Sequence, residues 1–219
     1  QMADQLLQLD APLTFSMLPY GRFSRQIISD ARAKGKEVML HLPMEPNEYP
    51  QVNPGAGALL SQMTPDQMID QLNKNLDMFT GLKGVNNHMG SRLSTSPERM
   101  RQIFSVLKKR GLYYIDSRTT AETVARMSAE KLQVPFAERD VFIDHVDDPD
   151  FMRSQLNLLI KRAQKQGFAV GIGHPHVNTY RVLAEYLPIL KEKVRLAPAS
   201  MVIETIAYAE ANGKSRARR

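Results

Sequence analysis

Four of the five histidines stand where a short apolar run gives way to polar residues. His41 closes Glu37–His41, His88 closes Gly84–His88, and His174 and His176 follow Phe168–Gly173. A helix-like segment comes after each run. In α/β folds the carboxyl ends of strands are where side chains converge on a ligand or metal. Imidazole is the commonest metal ligand and a general acid or base near neutral pH. The placement predicts one polar site at one end of a sheet or barrel, of the kind enzymes use.

The neighbours of each histidine narrow the chemistry. In His41-Leu42-Pro43-Met44-Glu45 a carboxylate follows the imidazole by four residues. Nitrogen and oxygen donors of this kind suit zinc or another first-row divalent metal. A histidine bonded to backbone, with Glu45 in solvent, is the plainer alternative. Asn86 through Arg92 is a dense polar run with Gly90 permitting a sharp turn. Its Asn87 and Arg92 are assigned to substrate and His88 to the metal. In Asp116-Ser117-Arg118-Thr119, Asp116 can orient a catalytic histidine or meet substrate. Arg118 can bind a carboxylate or pair with Asp116; a helix cap with a salt bridge explains the same residues. Asp144 is the functional candidate of its acidic cluster, whose later carboxylates suit a helix N-terminus, and His145 is expected to be exposed. Gly171-Ile172-Gly173-His174-Pro175-His176 lacks the third glycine and helix of a phosphate loop. His174 is read as a catalytic acid or metal ligand, and His176 as a substrate contact.

Alternating strand and helix signals must position these groups. Strands are expected at 13–18, 38–42, 84–88, 112–116, 134–137, 141–144 and 168–173, with 194–197 and 201–203 closing the fold. Ser24, Thr64-Pro65, Ser96-Pro97 and Asp148-Pro149 read as helix starts, and Gly35, Gly111 and Gly167 as stops. A further helix is expected over 119–130, and another over 178–191. Residues 43–63 form a long loop rich in Pro, Asn and Gly; such loops are functional or disordered. Repeated strand–helix units argue for a parallel sheet or barrel.

Composition bounds the rest. The 219 residues are 42% hydrophobic and 24% charged, a globular balance large enough for one α/β barrel. With no cysteine, disulfides, thiolate metal sites and cysteine nucleophiles are excluded. No apolar stretch reaches membrane-span length, and no signal peptide is expected within these residues. The net charge is +6, of which Lys214–Arg219 supplies four, leaving about +2 for the rest. The basic excess is thus a tail, expected to be solvated and flexible. Nucleic acid is not an expected partner, because basic–aromatic interleaving is missing. Gln1 falls inside a helix-like run, so sequence is expected upstream.

Together these blocks resemble the divergent polysaccharide deacetylases, relatives of the NodB-type carbohydrate deacetylases. The matching stretches are Leu18-Pro19-Tyr20-Gly21, His41 through Pro46, Asn86 through Arg92, Ile115 through Thr119, Arg139 through Asp144 and Gly171 through Pro175. The resemblance implies a distorted barrel of the (β/α)7 type over residues 1–205, with 206–219 as the tail. It also implies a periplasmic or envelope setting and a polysaccharide or peptidoglycan-type ligand. A divalent metal, zinc by donor type, would bind His41, His88 and Glu45, with His174, Asp116 and Asp144 catalytic. The family opens with a strand ending in an Asp-Asp pair, which would lie upstream of Gln1. Conventional deacetylases have His-x3-His where this chain has His41-x3-Glu45. Two readings follow: a metal-dependent hydrolase of acetylated sugars, or a non-catalytic glycan- or protein-binding barrel.

Overall fold

The computed structural model describes residues 2–211. Five parallel strands, β1 (Thr14–Met17), β2 (Glu37–Met44), β3 (Gly84–Met89), β4 (Tyr113–Asp116) and β5 (Phe136–Glu138), form one sheet in chain order. Two more, β6 (Val141–Phe142) and β7 (Gly171–Ile172), pair in parallel beside it. Eight α-helices accompany them: α1 (Met2–Gln8), α2 (Ser24–Ala33), α3 (Pro65–Asp77), α4 (Pro97–Arg110), α5 (Ala125–Leu132), α6 (Pro149–Gln166), α7 (Val177–Lys193) and α8 (Ala199–Ala211). The fold is the expected distorted α/β barrel, left open where β5 and β6 fall in separate sheets.

The alternation of side chains along a strand decides what each face does. On β2, Val38, Leu40, Leu42 and Met44 join the main core with Ile28, Leu72, Ile103 and Leu107 of the crossover helices. Met39 and His41 therefore face the other way. Val85 and Tyr114 likewise face the helices, which turns Asn86 and His88 of β3, and Tyr113 and Ile115 of β4, to the inner side. Because α2 to α5 all cover one face, the sheet is singly wound, as barrels are. The lower inner face is filled by α8: Ile203 and Ile206 pack on Met39, Tyr113, Ile115 and Ala137.

Local chemistry sets the ends. Thr64 and Gln67 form a reciprocal capping box at α3. Ser96 and Asp148 cap α4 and α6, and Gly111 and Gly167 close them in the left-handed conformation. At the base, Glu37 accepts bonds from Tyr113 Oη (2.7 Å), Thr14 Oγ1 (3.1 Å) and the Ser200 N–H (3.1 Å). The start of α8 is thereby tied to β1, β2 and β4.

Several expectations change. Ser24 does not cap α2; it lies inside the helix, after Phe23. The helix expected from 119 begins at Ala125, because Thr123 bonds the Asp116 carboxylate and holds the preceding residues as a loop. Met201–Ile203 lies in helix α8 rather than in an extended segment, and α8 crosses the boundary expected after residue 205 while burying Ile206. The tail residues 212–219 lie outside the described residues. The 45–63 loop is ordered against β2: Leu59 bridges Met44, and the Leu59 N–H bonds the Pro43 carbonyl at 2.9 Å.

Gly84 lies under the Tyr113 ring, where a Cβ would overlap the aromatic carbons. That ring is buried and pinned through its hydroxyl to Glu37. Gly84→Ala should therefore destabilise the protein by about 1–3 kcal/mol, the cost of overpacking, seen as a lower urea midpoint with unchanged slope.

Candidate functional site

The histidines gather at the carboxyl end of the inner face. His41 sits within β2 rather than at its end, opposite Asn86 in the β2–β3 register, and Pro43 is opposite His88. His88 Nδ1 lies 3.1 Å from His41 Nε2. His41 Nδ1 lies 2.9 Å from Asn86 Oδ1, which also accepts the Ser16 hydroxyl. An amide oxygen only accepts, so His41 carries its proton on Nδ1 and presents a lone pair at Nε2. Asn86 Nδ2 in turn donates to Ser117 Oγ at 3.2 Å, so every polar atom of this buried amide is engaged.

Burial drives the His41 pKa down to about 4, against the bond to Asn86 and with help from the nearby charges of His88 and His174. Burial also lowers His88, again helped by His174. His41 is therefore neutral at pH 7 and the neutral form of His88 is favoured; His88 Nδ1–H donates to His41 Nε2, a proton that a bound cation would replace. Ligand nitrogens about 2.0–2.1 Å from a tetrahedral zinc stand about 3.3 Å apart, close to the separation of His41 Nε2 and His88 Nδ1.

His174 approaches from β7. Its Nδ1 is 3.1 Å from Asp144 Oδ1, and its backbone N–H donates to Asp144 Oδ2 at 2.5 Å. Thr179 Oγ1 adds a third bond to that carboxylate at 2.7 Å. Asp144 is buried, and these bonds outweigh burial to hold its pKa below the carboxylate range. The carboxylate in turn raises the His174 pKa against burial. The Phe142 ring stands edge-on to His174 at 5.3 Å between centroids. Asp144, His174 and His176 also place one ligand atom each within 4.8 Å of one another. The Asp144 oxygens already accept three bonds, so the arrangement reads first as an imidazole oriented by a carboxylate that favours its protonated form.

The other expected residues brace the rim. Glu45 is buried, accepts the Ser61 N–H, and pairs with Arg92 Nη1 at 3.1 Å. It is not brought to the imidazoles as a third ligand among the described residues; their one cluster of three is Asp144, His174 and His176. Asn87 lies on the helix side, accepting the Ser117 N–H and donating to the Met89 carbonyl, each at 2.8 Å. Asp116 is also buried on that side, and burial raises its pKa. It accepts the Arg118 N–H and the Thr123 hydroxyl, each at 2.8 Å, and orients a turn instead of a histidine. Met89 (φ 54°) and Arg118 (φ 50°) are both left-handed without being glycine. That conformation costs about 1–2 kcal/mol each. Arg118 keeps a partly exposed side chain, and His176 is exposed at the start of α7.

Asn86, Ser16, Ser117, Thr179 and Arg139 were not singled out by sequence. Period-two alternation was the available signal for Asn86, which must share a face with His88. The Arg139 guanidinium holds the Ser117 and Arg118 carbonyls at 2.7 and 3.1 Å.

A singly wound α/β barrel with an imidazole site at the carboxyl end of its strands defines the class. The profile of the divergent polysaccharide deacetylases matches residues 1–203, and the chain belongs to that family. It is 29% identical over 200 residues to an uncharacterized Escherichia coli protein, YibQ, covering 91% of this chain and 62% of that one. An uncharacterized Haemophilus influenzae protein is also 29% identical, over 84% of this chain and 65% of its own length. The chain thus spans somewhat under two thirds of these relatives. A crystal structure of an uncharacterized protein from Agrobacterium tumefaciens superposes with a TM-score of 0.86 at 23% identity, covering 91% of this chain and 82% of that one. It supports the fold. No described helix is long and apolar enough to cross a membrane.

The His174–Asp144 pair makes stability pH-dependent in a definite sense. A raised histidine pKa contributes stability that is present below the unfolded value of 6.5 and lost as pH rises through the folded one. A depressed aspartate pKa contributes stability present above 3.8 and lost as pH falls through the folded value. Asp144→Asn should bring the His174 NMR titration midpoint down and flatten the loss of stability above pH 6.5. An unmoved midpoint would show that Asp144 does not set the charge of His174.

Proposed function

We propose that the protein is a metal-dependent deacetylase that removes N- or O-acetyl groups from an envelope polysaccharide of the peptidoglycan type. Family membership supports the substrate class, and such a substrate fits a periplasmic setting. The observation that carries the chemistry is the pair of neutral imidazole nitrogens, His41 Nε2 and His88 Nδ1, facing each other at 3.1 Å with Asn86 fixing the His41 tautomer. An imidazole oriented through its second nitrogen is the usual support of a metal ligand. His41 and His88 would hold a divalent cation, zinc by donor type. Bound there it would supply Lewis acidity to an acyl oxygen and a lowered pKa for water.

The chain's own groups do the rest. Hydrolysis adds one water across the acyl C–N or C–O bond and yields acetate and a free amine or hydroxyl. The leaving nitrogen or oxygen needs a proton. His174 is the group placed to give it: Asp144 engages Nδ1 and favours the imidazolium, in which the second proton sits on Nε2. Ser16, Asn86 and Ser117 hold the metal-facing imidazole still. Arg92, Arg118 and His176, on the turns after β3, β4 and β7, are the residues we propose to meet the rest of the glycan.

One observation favours a second reading, a glycan-binding barrel without turnover. The position where conventional deacetylases carry a second histidine holds Glu45, locked to Arg92.

Zinc titration and acetate release separate the two. Zinc should bind the protein; His88→Ala should abolish binding, and Asn86→Ala should weaken it about 10–100-fold. With zinc present, acetate should appear from acetylated peptidoglycan-type oligosaccharide, and His174→Ala should slow it about 100-fold or more. Glycan binding without acetate would support the second reading and sink the first.

A further inference from the structure

We infer that Asp144, His174 and His176 form a second site for a first-row divalent cation such as zinc, separate from the His41–His88 pair. The site follows from the geometry of this cluster and does not need the deacetylase reading.

Strand register brings two of the three together. In the parallel β6–β7 pair Phe142 lies opposite Ile172. Asp144 and His174 each follow two residues on, so carboxylate and imidazole leave the two strand ends side by side. Gly173 permits the close approach: a Cβ there would stand 3.3 Å from both Asp144 Oδ2 and Thr179 Cγ2. A tight turn brings in the third. The His176 N–H donates to the His174 carbonyl at 2.8 Å across Pro175, and proline already fixes the central φ such a three-residue turn requires. The two imidazole centroids are 5.7 Å apart. One ligand atom from each of the three residues lies within 4.8 Å of the other two. Neither His41 nor His88 belongs to that cluster.

The bonding leaves room for a cation. Asp144 Oδ2 is taken by the His174 N–H and the Thr179 hydroxyl, whereas Oδ1 accepts from His174 Nδ1, at 3.1 Å. Two ligands of a tetrahedral zinc stand about 3.3 Å apart, close to that separation. A cation between Nδ1 and Oδ1 would replace one proton and disturb neither bond on Oδ2. Those two bonds then serve as the outer support that a ligating carboxylate has. His176 is available to complete the set. It occupies the N-cap of α7 without capping it, and its ring makes no hydrogen bond among the described residues. It is exposed, so its ring has room to turn toward the cation. Two imidazoles and one carboxylate, with a position left for water, suit zinc and its neighbours, whereas magnesium and calcium take oxygen ligands. A cation held there ties the ends of β6 and β7 to the start of α7.

The test is zinc calorimetry on the full chain, read together with the histidine ring signals by NMR. The parent should take up two equivalents, and the His174 and His176 signals should shift together. His176→Asn places a favoured residue at the helix N-cap, so without metal it should melt within about 2 °C of the parent. It should lose one equivalent while the His41 and His88 signals still respond to zinc. The equivalent that His88→Ala abolishes is the one at the imidazole pair; the other should stay, with its His176 shift. Two equivalents retained in His176→Asn, or a single equivalent that His88→Ala removes and His176→Asn keeps, overturns the inference and leaves the imidazole-pair reading standing. A single equivalent that His176→Asn removes and His88→Ala keeps upholds the inference and takes the metal away from His41 and His88. No zinc uptake overturns both.

Discussion

The register of β2 against β3 governs the whole site. His41 lies opposite Asn86, and Pro43 opposite His88. Side chains on a strand alternate, so this pairing sends all three polar groups to the inner face and Leu40, Leu42 and Val85 to the helices. A slip of one residue would bury imidazole among leucines and turn leucine to the inner face. The register is strongly specified because burial of the apolar set enforces it; the polar set is carried along. Asn86 then converts placement into orientation, since its oxygen fixes the His41 tautomer and its nitrogen reaches Ser117 on the next strand.

Much of this was legible in the sequence, for identifiable reasons. The caps at Thr64, Ser96 and Asp148 are local hydrogen-bond chemistry and require no tertiary information. The histidines of β3 and β7 were placed near strand ends because apolar runs mark strands. His41 was put at a strand end although β2 continues to Met44; a proline at 43 reads as a stop. Here Pro43 still pairs opposite His88 and accepts from Leu59 through its carbonyl. The roles of Glu45, Asn87 and Asp116 were not legible. Their type and spacing suit a ligand set equally well, and only the side of the strand on which they fall, or an arginine 47 residues on, shows that they hold turns in place. Asn86 was within reach of the alternation rule applied backwards from His88.

The rim divides its polar residues between two tasks. One set lies at the carboxyl end of the inner face: His41, His88 and His174, with Asn86 and Asp144 bonded to them. The other set, Glu45, Asn87, Asp116 and Arg139, consumes backbone N–H and carbonyl groups of the turns and leaves little of itself to a ligand. A buried carboxylate can be mistaken for a catalytic one on burial alone. The distinction lies in its partners: Asp144 touches an imidazole, whereas Asp116 touches a backbone amide and a hydroxyl.

The Glu37 knot at the base has a counterpart in how such a scaffold can diversify. Its bonds run to Thr14, Tyr113 and the start of α8, and none of them reaches the turns after β2, β3 or β4. The bonds that close the base are therefore separate from those that shape the rim. Substitutions in the 45–63 segment or around Arg118 can reshape the rim without disturbing what closes the barrel below. The rim turns can thus be changed one at a time, whereas a change at the base must keep a single carboxylate in reach of three donors.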